Sequence, residues 1–159
     1  KDAYIWAKNC QEKFDVVIID FPDPSNYSLG KLYSLNFYAT IQKLLNQDAV
    51  VVIQTTSPYF APKSFWCINK TVMQVFPQID AYHAYVPSFG EWGFTIAING
   101  FGTTFNTVNR KVDALRFYNY QFDKFNYFSQ DMISKDIEIN RLDNQILVRY
   151  FDEEWGNLQ

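Results

Sequence analysis

Apolar positions along this chain follow two rhythms, a strand-like one of continuous or alternating residues and a helical one of residues three and four apart. The run Phe14 to Ile19 is near-continuous and β-branched, and it stops at Asp20-Phe21-Pro22-Asp23-Pro24. That pattern predicts a buried parallel strand whose C-terminal end carries two carboxylates three residues apart. Ahead of it, Ala3, Ile5, Trp6 and Ala7 predict a short helix over Asp2 to Asn9. After it, turn formers make Ser25 to Gly30 a loop, flexible enough to act as a flap over a ligand. Ser34 then reads as the N-cap of a helix whose inner face is Phe37, Tyr38, Ile41, Leu44 and Leu45, running through to Asn46-Gln47. A second β-branched strand, Ala49 to Ile53, ends in the polar stretch Gln54-Thr55-Thr56-Ser57-Pro58. Two strands joined by an amphipathic helix make a βαβ unit, so Asp20, Asp23 and Gln54 fall along one rim, the edge where open α/β sheets place ligands.

Pro62 sits where a helix begins, and Phe65, Trp66, Ile68, Val72, Met73 and Phe76 carry that helix up to Pro77. Ile79 to Val86 and Trp92 to Ile98 read as strands. The connection Pro87 to Glu91 is too short for a crossover helix, which makes the pair an antiparallel hairpin. Asn99 to Thr107 reads as a loop and Leu115 to Phe128 as an aromatic segment. A terminal helix opens at Asn140, with Asp143 three residues on, and turns Leu142, Ile146, Leu147, Tyr150 and Phe151 inward. The fold class is therefore α/β: residues 1–100 form an open sheet ending in the hairpin, and residues 101–159 are a linker with an aromatic and helical C-terminal tail of the same domain. No G-x-G-x-x-G follows any predicted strand and the chain begins at Lys1 without a methionine, so the sheet is expected to lack its N-terminal strands. On that expectation the outer side of Phe14 to Asp20 is unpaired or covered by another chain.

Composition narrows the picture. At 159 residues, 48% hydrophobic and 19% charged, the chain is long enough to bury one respectable core. A formal net charge of -3, with 14 scattered Lys and Arg, argues against a nucleic-acid partner and fits a cationic ligand at the acidic rim. Cys10 and Cys67 lack metal-ligand spacing and suggest a reducing, cytoplasmic setting. No apolar run approaches the roughly 20 residues that span a bilayer. Read from residue types alone, Asp20 and Asp23 are either turn caps or a ligand site, and His83, between aromatic residues, is a packed or edge residue rather than a ligand. Trp66 and Trp92 pack between helix and sheet, or line a wall for a methylene chain.

Taken in order, D-F-P-D-P after the first strand, L-Y-S-L-N-F-Y at the next helix, the strand ending in Gln54, and the hairpin V-P-S-F-G-E-W-G-F resemble spermidine synthase, a polyamine aminopropyltransferase. The likeness is strongest to its bacterial membrane-associated branch, in which a transmembrane region precedes the synthase domain. It covers residues 2 to 98 well, and N-R-L-D-N-Q in the tail fits the same branch. The resemblance implies a Rossmann-like, methyltransferase-type sheet and transfer of an aminopropyl group from decarboxylated S-adenosylmethionine to putrescine, with no tightly bound cofactor and no metal. It implies that Asp20 is the general base and also lies at the nucleoside co-substrate, that Asp23 binds the amine and the aminopropyl nitrogen, and that Asp2 with Ala3 holds the adenine amino group. It places Gln54 near the amine, and because Val86 stands where many members have a tyrosine, Ser88, Glu91 or Tyr33 is expected to supply the missing polar contact. Family members dimerise, which makes the aromatic tail a candidate homodimer interface beside an intramolecular role. The alternatives are an S-adenosylmethionine-dependent methyltransferase and a non-catalytic, truncated interaction domain.

Overall fold

The structure, a computed structural model, describes residues 2–103, 113–116 and 126–156. Helix α1 spans Ala3–Asn9, followed by strand β1 over Phe14–Ile19 and a short helix α2 over Tyr27–Gly30. Then come α3 at Leu35–Gln42, β2 at Leu45–Gln54 and α4 at Pro62–Met73. The hairpin strands are β3, Gln78–Val86, and β4, Gly90–Ile98, and the described C-terminal residues end in α5, Ile146–Trp155. The four strands lie in the order β1-β2-β4-β3, with β1 and β2 parallel and both pairs involving β4 antiparallel. The sheet is thus mixed and α/β, with the expected terminal hairpin. No helix among the described residues is long and apolar enough to cross a membrane.

Register decides which side chains face the helices. Val17 lies opposite Val51 and Ile19 opposite Ile53, while Val51 and Ile53 lie opposite Ala97 and Thr95. This face joins Phe37, Tyr38 and Ile41 of α3 and Ile68 and Val72 of α4 in one core. The other face is open among the described residues: Val16 is 60% exposed and Ile18 74%. Among the described residues the helices pack on one side only and β1 pairs with β2, so the expected burial of β1 is seen on one face.

Three local expectations also change. Ser25 to Gly30 is not an irregular loop, because Asn26 caps α2 by accepting the Leu29 N–H at 3.0 Å and a 3-10 turn over Lys31–Tyr33 continues it. Helix α3 is capped by Ser34 as expected but stops at Gln42, and Leu45, assigned to its inner face, pairs with Phe14 as the first residue of β2. The register between these two strands then slips, and Asp48 takes a left-handed backbone, φ 59°, before regular pairing resumes at Val50. The terminal helix starts at Ile146, and Leu142 is exposed rather than inward-facing. The expected loop Asn99 to Thr107 and the aromatic segment Leu115 to Phe128 lie largely outside the described residues.

Asn140 does not open a helix. It is fully buried, donates from Nδ2 to the Gly30 carbonyl at 2.9 Å and accepts the Leu147 N–H at 3.4 Å. Its backbone N–H donates to Thr71 Oγ1 at 2.8 Å, and its carbonyl accepts the Leu35 N–H at 2.9 Å. One residue thus joins α2, α3, α4 and α5. Asn140→Ala is expected to leave the Leu147 N–H, in the first turn of α5, buried without its acceptor and to cost about 1–3 kcal/mol in a urea melt. A loss below a few tenths contradicts that role.

Helix α5 fills a second gap. Ala61 at the N-cap of α4 has no capping side chain, and Glu154 supplies the acceptors instead. Its carboxylate takes the Lys63 N–H at 2.6 Å, the Ser64 N–H at 3.0 Å and the Ser64 hydroxyl at 2.7 Å. Burial still pushes the Glu154 carboxyl above its ordinary value despite these donors.

Candidate active site

The parallel strand β1 delivers Asp20 just past its last paired residue, and the turn Phe21-Pro22 carries the chain on to Asp23. Strand β2 ends beside it with Gln54. Asp20, Asp23 and Gln54 line one cavity of about 620 Å³ at the C-terminal ends of the parallel strands. Its apolar wall includes Ile18, Val52, Phe89, Trp92 and Phe94. Phe89 and Trp92 pack with ring centroids 4.9 Å apart, and Phe94 stacks on Tyr82 at 5.2 Å. A slot with carboxylates at its rim and aromatic rings along one side suits an alkylammonium with a methylene chain.

The two carboxylates sit in different settings. Asp20 is exposed, whereas Asp23 is half-buried and accepts a hydrogen bond from Gln54 Nε2 on Oδ1 at 3.3 Å. Burial raises the Asp23 carboxyl above its ordinary value, and the Gln54 bond opposes that rise. A carboxylate raised in the folded state costs stability when it ionises. Stability from Asp23 is therefore greatest below its unfolded-state value and falls as pH rises through the raised one, until a bound cation offsets the charge.

Tyr33 faces the turn between the carboxylates. Its fully buried hydroxyl points at the carbonyls of Phe21 and Pro22, 3.1 and 3.0 Å away. Burial first, and then the charges of Asp23 and Asp20, hold that hydroxyl far above its ordinary value, so it remains a donor. Tyr33 therefore pins the turn between the two carboxylates instead of lining the cavity. Glu91 points elsewhere: β-strand alternation puts it on the face opposite Trp92 and Phe94, and its carboxylate lies 2.7 Å from His83 Nδ1. Ser88 stands exposed on the hairpin turn. None of the three lines the cavity, whereas Val86 does.

Asp2 and Ala3 lie at the start of α1, Asp2 lining a separate depression of about 410 Å³ with Ile5, Trp6, Asn9 and Cys10. Asp2 Oδ1 caps the helix through the Tyr4 and Ile5 N–H groups, and Oδ2 pairs with Lys31 Nζ at 2.6 Å. The Lys31 ammonium first, with the Ile5 amide, holds this carboxyl below its ordinary value. Sequence reasoning overlooked Phe94 and Val52 as wall residues. Their alternation with Trp92 and Gln54 along their strands was the available signal.

A family model described as the spermine/spermidine synthase domain matches residues 1–111. A polyamine aminopropyltransferase of Leptospira interrogans is 46% identical over 161 residues, covering 99% of this chain and 31% of its own length. Polyamine aminopropyltransferase 2 of Ralstonia nicotianae is 46% identical over 159 residues, covering 97% of this chain and 30% of its own length. The chain thus spans about a third or less of these curated relatives. Among solved structures, a spermidine synthase in complex with the transition-state analogue AdoDATO aligns with a TM-score of 0.57 at 21% identity, over 99% of this chain and 50% of that one. Spermidine synthase from Thermotoga maritima aligns with a TM-score of 0.54 at 20% identity, over 97% of this chain and 47% of that one, so the fold is shared.

Proposed function

This chain belongs to the spermine/spermidine synthase family, and from that premise we propose that its acidic cavity binds putrescine and presents one nitrogen for aminopropyl transfer from decarboxylated S-adenosylmethionine, giving spermidine and methylthioadenosine. The observation that carries this reading is the convergence of Asp20, Asp23 and Gln54 on one cavity with an aromatic wall.

The chemistry needs such a rim. An alkylammonium has no lone pair, so it gives a proton to Asp20 before it attacks. The free amine then forms a new C–N bond to the carbon beside the sulfonium as the C–S bond breaks. The sulfur leaves as a neutral thioether, and its positive charge passes to the new ammonium. Asp23 anchors the amine, and the two carboxylates draw both cationic substrates into the cavity. For the nucleoside, Asp2 and Ala3 are the proposed adenine contacts, with adenine taking the place of the Lys31 ammonium on Asp2 Oδ2.

The test supplies the full-length protein that carries this chain with putrescine and decarboxylated S-adenosylmethionine. Spermidine and methylthioadenosine should appear in equal amounts. Turnover of S-adenosylmethionine with a methylated product would point to a methyltransferase, and no turnover with either donor to a binding domain.

A further inference from the structure

Gln54 was expected to touch the substrate amine, but its amide is already held at both ends. The cause lies two residues on. Thr56, fully buried, has a left-handed backbone with φ 65°, which a β-branched residue seldom adopts. Strand β4 keeps it there: the Gly93 N–H donates to the Thr56 carbonyl at 2.7 Å, and the Thr55 N–H donates to the Gly93 carbonyl at 3.0 Å. Only glycine permits this approach, because a Cβ on Gly93 would fall 2.6 Å from the Thr56 carbonyl and 2.4 Å from the Phe65 ring. So turned, the Thr56 N–H donates to Gln54 Oε1 at 3.0 Å. An amide whose oxygen accepts on one side must present its NH2 on the other, and there Nε2 meets Asp23 Oδ1.

We propose that Gln54 is a positioning residue, its amide locked in one orientation by the Thr56 backbone, so that it occupies Asp23 Oδ1 and leaves Oδ2 to the substrate ammonium. The inference rests on the aminopropyl-transfer reading and changes the role of Gln54 within it, from a contact with the amine to a donor that acts through Asp23. The titratable groups that share this surrounding are Asp20, at the other end of the turn, and Tyr33, whose hydroxyl stays protonated beneath it. Without a donor from Gln54, the half-buried Asp23 holds its proton to higher pH and anchors a cation less well.

Two variants of the full-length protein test this, with putrescine and decarboxylated S-adenosylmethionine as substrates across a pH series. In Gln54→Glu, one carboxylate oxygen still accepts from Thr56 while the other faces Asp23 with like charge. The acid limb of kcat/KM should move up by about one pH unit and KM for putrescine should rise about tenfold. A residue in direct contact with the ammonium gives the opposite sign, since an added negative charge would lower that KM. Gln54→Met keeps the length without a donor and should shift the acid limb in the same direction by a smaller amount. If Gln54→Glu does not fold, as judged by its thermal melt, Gln54→Met decides by that shift. An unmoved acid limb in the folded variants, or a lowered KM in Gln54→Glu, overturns the inference. Loss of the underlying reading looks different: the unsubstituted protein transfers no aminopropyl group, or Asp23→Asn works as well as it does.

Discussion

Asp20→Asn in the full-length protein is expected to lower the rate of aminopropyl transfer by about 10²–10⁴-fold, the usual contribution of a positioned general base. Asparagine has the same shape and still accepts a hydrogen bond, but it cannot take a proton from an ammonium near neutral pH. The effect should fall on kcat far more than on KM for the amine, because the proposed amine contacts, Asp23 and the aromatic wall of Phe89, Trp92 and Phe94, are left unchanged. The fold should not notice the change, since Asp20 is exposed past the last pair of β1. Steady-state kinetics beside a thermal melt checks both parts. Undiminished transfer would mean that another group takes the proton. A loss matched by a fall in melting temperature would mean that Asp20 is structural.

Phe37→Ala is expected to cost about 3–5 kcal/mol, a large share of the stability of a domain this size. Phe37 is 1% exposed and sits at the centre of an aromatic cluster. Its ring lies 5.7 Å from Tyr4 of α1, 5.7 Å from Phe21 in the acidic turn and 6.2 Å from Tyr38. Phe21 in turn packs edge-on against Tyr33, the residue whose hydroxyl holds the turn. The cavity left by Phe37 therefore adjoins Phe21, in the turn that carries the carboxylates, as well as the core. Chemical denaturation should report the stability loss. Amine binding should weaken in conditions where the variant is still folded, and retention of full affinity would separate the cluster from the site.

Much of this architecture was legible because strands that end in polar residues announce their own ends. The apolar run Phe14 to Ile19 and its stop at Asp20 needed no tertiary information, nor did the hairpin, whose short connection excludes a crossover. Helix α4 was framed by Pro62 and Pro77. Periodicity failed where two rhythms overlap: Leu45 suits a helix face at a spacing of four and a strand equally well, and only pairing with Phe14 decides. It failed again at Asn140, because an asparagine ahead of an apolar stretch looks the same whether it caps a helix or is buried as a junction.

In the site, residues at strand ends could be placed on one rim from the sequence, but the direction of a side chain beside them could not. Glu91 and Trp92 are neighbours in sequence, yet strand alternation sends one toward His83 and the other into the cavity. Tyr33 was singled out for its hydroxyl, and its real partners, two backbone carbonyls in the acidic turn, exist only once Ser25 to Tyr33 has folded back as helix and 3-10 turn. The orientation of the Gln54 amide depends on a left-handed threonine and a glycine from another strand, neither of which leaves a local trace.

The double pairing of β2 sets an order of local opening. Strand β2 is hydrogen-bonded on both sides, to β1 and to β4, whereas the described structure gives β1 one neighbour. Amide exchange in such a sheet is graded, with a strand bonded on both sides among the last to release its protons. The amide proposed to steady Asp23 thus ends a strand that opens late. Local opening elsewhere in the sheet therefore leaves Gln54 and the Thr56 turn in place.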